Sequence, residues 1–248
     1  MDKKNQFPQS AEVDAFRQHI LKTAEDMVVN KFPKRIVQLN KMLTSEKLTA
    51  DPSSVYQKIN IPVPDCSEMS STTTTSTSQQ AASNTTSNKS VGTKVLVLPD
   101  GVVPSNKFIV ELINEIKPLI GELVEDTNLL KVWLMYLIPR IEDGNNFGVS
   151  IQEDVLAEIR ACEGEAAAYY DQISRYFSFR GKTVAKIAQY PHIDDYRRAI
   201  LELDEKEYFS LRLIVAECRN HYATLHDLIS KNGDKIRKPR SSNTEHMF

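Results

Sequence analysis

The sequence predicts an all-α fold, an elongated four-helix bundle, and three observations carry that expectation. Only 8 of 248 residues are glycine while 26% are charged, a balance that suits long helices with one wet face and starves a sheet of turns. Apolar residues recur every third or fourth position over long stretches, the period of one helix face. Proline and Asn-Gly signals separate those stretches, ending helices by removing an amide donor or by permitting a left-handed residue. A helix of thirty residues is about 45 Å long, so four of them side by side leave much lateral surface.

In the first helix Val13, Phe16, Ile20, Ala24, Met27, Ile36, Leu39 and Leu43 share a face. Pro33 interrupts it, and because the pattern resumes in phase beyond, a kink is expected in place of a break. Ser45 to Pro64 loses the period and carries Pro52, Pro62 and Pro64, so it reads as a connector, with residues 1–61 forming an N-terminal segment. Residues 62–93 form an insert in which Cys66 to Ser90 is dominated by Ser, Thr, Asn and Gln. So few apolar groups cannot offset backbone entropy, and a disordered tether is expected. The main helical region, 94–233, opens with the short extended run Val95 to Leu98.

The second helix is expected from Ser105 to Ile138, with Phe108, Leu112, Ile116, Leu119, Leu123, Leu130, Leu134 and Leu137 inward and a bend at Pro118. The third carries Val155, Ile159, Cys162, Ala166, Tyr169, Ile173, Tyr176, Val184 and Ile187, ending at Tyr190-Pro191. The fourth starts near Asp194 and carries Ile200, Leu203, Leu211, Ile214, Cys218, Tyr222, Leu225 and Ile229, with Asn232-Gly233 as its stop. Residues 234–248 are left as a tail. Ile193, Phe209 and Val215 are expected at the surface, open to a neighbouring subunit. The i,i+4 pairs Asp194/Arg198 and Glu202/Lys206 decorate wet faces.

Between the second and third helices lies PRIEDGNNFGVSIQE, Pro139 to Glu153. Pro139 ends one helix, and Ser150 with Glu153 forms a capping box that opens the next. Asp143-Gly144, Asn145-Asn146 and Gly148 tolerate left-handed backbone, so 139–149 reads as a shaped loop. Read as a calcium loop from Asp143, it puts Asn145 and Gly148 at usable positions. Phe147 and Asp154 then fall where ligands of another type belong.

A net charge of −2 supplies no attraction for nucleic acid. The three cysteines, Cys66, Cys162 and Cys218, lack metal-site spacing and suit a reducing intracellular compartment. The start MDKKNQFPQS has no apolar signal core, and Val132 to Ile138 is far shorter than the ~20 residues that cross a bilayer. Cys218, His221 and His226 spread too widely around their helix to converge on zinc, and Cys162 reads as an inert thiol. No Walker-type loop and no Glu-x-x-His pair occur. The expectation is a non-enzyme without catalytic residue, metal or cofactor.

LIPRIEDGNNFGVSIQE closely resembles the activation loop of the REG (11S) proteasome activators, and the likeness continues through DQISRY, YPHIDDYRRAI, LDEKEY, SLRLI, TLHD and KPRSSN. It covers most of the chain from Thr93 onward; FP and PVPD near the start fit as well, and the wording is nearest the gamma-type subunits. The resemblance implies bundles packed into seven-membered rings with an axial channel, activating the core (20S) proteasome without ATP or ubiquitin. It assigns gate opening to Arg140, Ile141, Glu142, Asp143, Gly144, Asn145, Asn146, Phe147, Gly148 and Val149. It assigns docking on outer-ring subunits to the tail Thr244, Glu245, His246, Met247 and Phe248, where relatives commonly end in tyrosine. The implied place is nucleus or cytoplasm; the insert has the single Lys89 where gamma-type relatives carry a basic import cluster. Lys235 to Arg240, KIRKPR, is either a cationic helix end or such a signal. A helical scaffold without proteasome activation is the alternative.

Overall fold

A computed structural model describes residues 10–64, 101–142, 144 and 146–240. The Ser/Thr-rich insert beyond Pro64, the run Val95 to Leu98, and the tail from Ser241 lie outside the described residues. Among these the elements are α1 (Ala11–Asp26), a π-helical turn (Met27–Lys31), α2 (Phe32–Leu43), a 3-10 turn (Pro52–Val55), α3 (Lys107–Leu137), α4 (Phe147–Gln189) and α5 (Asp194–Arg237). There is no strand among them. With α1, the π turn and α2 counted as one continuous helix, the four expected helices are present. The chain divides into two compact units, one of residues Met1–Ala50, Glu111–Ile173 and Phe209–Phe248, the other of Asp51–Val110 and Ser174–Tyr208.

The first helix opens where the Ser10 hydroxyl accepts the Val13 amide at 3.3 Å, a side-chain cap for a donor the helix start leaves free. Pro33 neither breaks nor simply kinks it. Proline has no amide, so the carbonyl four residues back loses its donor, and the helix widens instead: the Phe32 amide reaches the Met27 carbonyl five residues back. That extra residue rotates the face. Met27, Val28, Phe32 and Leu39 are buried, whereas Ile36 is only half-buried and Val13 and Phe16 are exposed.

Elsewhere the helices follow their stripes with small rotations. In α3 Ile109, Ile113, Ile120 and Trp133 are buried alongside Leu112, Ile116, Leu123, Leu130 and Leu134, while Phe108, Leu119 and Leu137 are half-buried. Two adjacent apolar columns run along α3, and periodicity does not say which lies at the centre. Val215, expected at the surface, is 1% exposed, whereas Ile193 and Phe209 are each 45% exposed. Arg198 pairs with Glu202 at 2.5 Å.

Two helix ends differ from expectation. α4 begins at Phe147, so the Ser150–Glu153 box lies inside the helix and the loop is shorter than 139–149. Asn146 sits at the start instead, its carbonyl accepting the Ser150 amide at 2.9 Å. Its side chain turns back to the loop, where Oδ1 accepts from Arg240 and Nδ2 donates to the Glu142 carbonyl. α5 runs through Asn232-Gly233 to Arg237, and the Lys238 amide still reaches the Asp234 carbonyl at 2.9 Å. A glycine stops a helix only where the backbone turns left-handed, and Gly233 is not among the positive-φ glycines.

Each unit holds a buried polar hub. In the first, Asp126 accepts from the Tyr222 hydroxyl at 2.9 Å and from Lys31 at 2.6 Å, with Phe32 meeting the Tyr222 ring edge-on at 4.9 Å. Arg35 pairs with Glu122 beside them. In the second, Asp204, fully buried, accepts from Asn106 at 2.7 Å, Tyr176 at 2.8 Å and Arg180 at 3.0 Å. A buried carboxylate with three donors is well satisfied, and removing Arg180, the cation among them, would leave its charge uncompensated. Asn106 also donates to the Val55 carbonyl at 2.7 Å and Arg197 to the Ile61 carbonyl at 2.9 Å, so the connector is pinned along its length. Ile61 packs with Ile187 and Ile200 in a small apolar core.

Candidate functional site

The loop between α3 and α4 is built from its two ends inward. The last carbonyls of a helix have no partner within it. Gln152, fully buried on α4, donates through one amide nitrogen to two of them, Leu137 at the end of α3 at 3.0 Å and Ile236 near the end of α5 at 2.7 Å. Arg17 of α1 serves a third, donating to the Tyr136 carbonyl at 3.0 Å while lying 5.4 Å from the centre of its ring. These contacts fix where the chain leaves α3 and re-enters α4.

Within the loop, Arg140 donates to Glu142 at 2.7 Å, and the Asn146 amide reaches the Glu142 carbonyl at 3.4 Å. Gly144 has φ +83°, a left-handed conformation that side chains resist. Ile141 and Phe147 are exposed, 101% and 73%. Two apolar side chains in water at one loop are available to a partner surface and useless to the core. Asp143 and Asn145 lie outside the described residues.

Residues past the last helix complete the loop. Arg240 donates through Nη1 to Glu142 Oε2 at 2.9 Å and through Nη2 to Asn146 Oδ1 at 3.2 Å. Gly148, buried in the first turn of α4, lies against the Pro239 backbone so closely that a Cβ added there would overlap the Pro239 carbonyl and stand only 2.6 Å from the Pro239 Cα. Val149 is half-buried beside it. The structure therefore brings Arg140, Glu142, Asn146 and Gly148 together with Pro239 and Arg240. The docking residues Thr244, Glu245, His246, Met247 and Phe248 lie outside the described residues.

Sequence reasoning missed Gln152, Pro239 and Arg240. The capping-box pattern drew attention to Ser150 and Glu153 and past Gln152 between them. KIRKPR read as a cationic helix end or an address signal, and only Arg240's separation from the helix by Pro239 hinted at another use.

The other candidates dissolve in the geometry. Phe147 to Asp154 is helical, so the twelve-residue calcium loop does not exist. Cys162 and Cys218 are buried, and burial pushes both thiols up to about 12, far from the thiolate a nucleophile or metal ligand needs. Among the described residues no cluster of three His, Cys, Asp or Glu could hold a metal ion.

The profile described as proteasome activator PA28, C-terminal, matches residues 102–246, and that for its N-terminal part matches residues 8–66. Proteasome activator complex subunit 3 of Gallus gallus is 48% identical over 240 residues, 95% of this chain and 94% of that protein; that of Homo sapiens gives the same figures. The solved 11S subunit of the Plasmodium falciparum proteasome, PA28, superposes with TM-score 0.72 and 30% identity over 97% of this chain and all of that one. The activator PA26 of Trypanosoma brucei, solved with the yeast 20S proteasome, shares the fold at TM-score 0.64 and 14% identity, over 96% of this chain and 99% of that one. Fold and matches define a four-helix subunit of the 11S kind. The chain belongs to the PA28 proteasome activator family.

Proposed function

We propose that this chain assembles with copies of itself into a ring, seven-membered on the family resemblance, that caps the core (20S) proteasome and opens its gate without ATP or ubiquitin. Seven tails ending in Thr244 to Phe248 supply affinity that one tail lacks, because linked weak contacts add at high effective concentration. Seven loops, Arg140 to Val149, shift the gate toward its open population. The observation that carries this reading is the loop itself. It is too elaborately held for a simple chain reversal, and it presents Ile141 and Phe147 outward. Relatives bearing the name of a proteasome activator subunit support it.

The protein acts by binding, with no chemical step of its own and no cofactor. Its partners are outer-ring subunits of the core particle and further copies of this chain; nucleic acid and membrane are not among them. Among the described residues no helix is long and apolar enough to cross a membrane. The place of action is nucleus or cytoplasm.

The test is fluorogenic-peptide hydrolysis by purified core proteasome with and without the protein. Stimulation is expected, and it should vanish on removal of Thr244 to Phe248. Asn145→Tyr should abolish stimulation while the variant still competes with wild type for core particles. Unchanged turnover with the wild-type protein would leave the helical scaffold as the reading.

A further inference from the structure

We propose that Arg240 is a positioning residue that ties the root of the C-terminal tail to the interhelical loop, so that docking the tail sets the loop's height and orientation. The proposal rests on the tail and loop roles given above and adds the link between them. Four observations carry it. One planar guanidinium reaches residues on both sides of the loop's crown, Glu142 before it and Asn146 after it. Its rigid planar fork fixes the directions of two N–H groups toward two separate acceptors, where a lysine offers a point charge on a flexible stem. Immediately before it, the Pro239 backbone lies against Gly148, where the absence of a Cβ is what allows the close approach. One step deeper, Gln152 joins the ends of α3 and α5 through a single amide. The two loop arginines also differ: the Arg140 side chain is 86% exposed, and that of Arg240 only 21%.

Energetics separate this role from a folding role. The Glu142 side chain is 46% exposed, and ion pairs that wet contribute little to global stability. A contact that adds little to folding yet ties a tail root to a loop acts on their relative geometry. Without it the tail leaves the bundle through backbone alone, and tail docking no longer constrains the loop.

The experiment compares rings of wild type, R240A, R240K, E142Q and the E142Q/R240A double variant, with sedimentation confirming assembly. For each, peptide hydrolysis by core proteasome is titrated to give a half-saturating ring concentration and a maximal stimulation. Stimulation by the wild-type ring tests the functional reading, and the variants test the link. R240A is expected to keep its half-saturating concentration within about twofold while maximal stimulation falls about tenfold, the loss of one charge-assisted contact. R240K should recover part of the maximum, and the double variant should lose less than the two single losses combined, because the two residues share one contact. Wild-type maximal stimulation by R240A, a loss confined to half-saturation, losses that multiply in the double variant, or failure of R240A to assemble would each overturn the proposal.

Discussion

Glu207 is a carboxyl the fold has nearly cut off from water, 6% exposed, with Oε1 lacking a partner among the described residues. Burial pushes it up to about 7, with Lys206 pulling the other way. The folded state then keeps a proton that the unfolded chain, with its carboxyl near ~4.3, has released. Stability therefore falls as pH rises from about 4 toward 7 and stays reduced above that. Glu207→Gln should be close to neutral near pH 4 and more stable than wild type by about 1–3 kcal/mol at pH 8. Urea unfolding followed by the fluorescence of Trp133, the one tryptophan, measures this; a pH-independent difference would exclude the titration. Gly148 gives a second residue-scale test. Its missing Cβ faces backbone, which cannot rotate aside. Gly148→Ala should cost about 1–3 kcal/mol and weaken stimulation along with it, read by thermal denaturation and peptide turnover.

At the scale of elements, helix phase and helix ends were set by features a periodicity count passes over. The π turn before Pro33 puts Phe32 at 0% exposure while Ile36 remains half-buried. Phe32→Ala is therefore expected to cost about 3–5 kcal/mol, and Ile36→Ala clearly less. Denaturant midpoints decide between them; equal costs would put the face back where an unbroken α-helix has it. The start of α4 makes a similar contrast. Asn146→Ala should cost about 1 kcal/mol through its lost contacts with Arg240 and the Glu142 carbonyl, and Ser150→Ala, exposed inside the first turns, at most about 0.5 kcal/mol.

At the scale of the whole molecule, function depends on copies acting together. On the mechanism proposed above, one tail binds too weakly to hold a cap, which makes the ring a condition of activity. Sedimentation at micromolar concentration should show an assembly several times the chain's 28.1 kDa. A clean monomer would remove the multivalent mechanism. Truncation before Thr244 should leave that assembly intact while abolishing capture of core proteasome, since the removed residues lie past the last helix.

The amino-acid sequence alone determined the all-helical class, four helices, their approximate bounds and the place of the loop. These follow from local causes: the period of apolar residues, proline's missing amide, and the residue types at turns. The loop segment was legible because its wording is distinctive, and so were Arg140 and Glu142 within it. Only the tertiary structure decided which column of α3 lies inward and that Phe32 displaces Ile36. It also decided that α4 begins at Phe147 and that Gln152, Pro239 and Arg240 hold the loop. Each of these is a contact between residues far apart in the chain, Arg240 with Glu142 or Gln152 with Ile236. Spacing within a segment carries no record of which distant carbonyl lacks a donor. That want of a partner, created by helix ends meeting in space, selected the residues that complete the site.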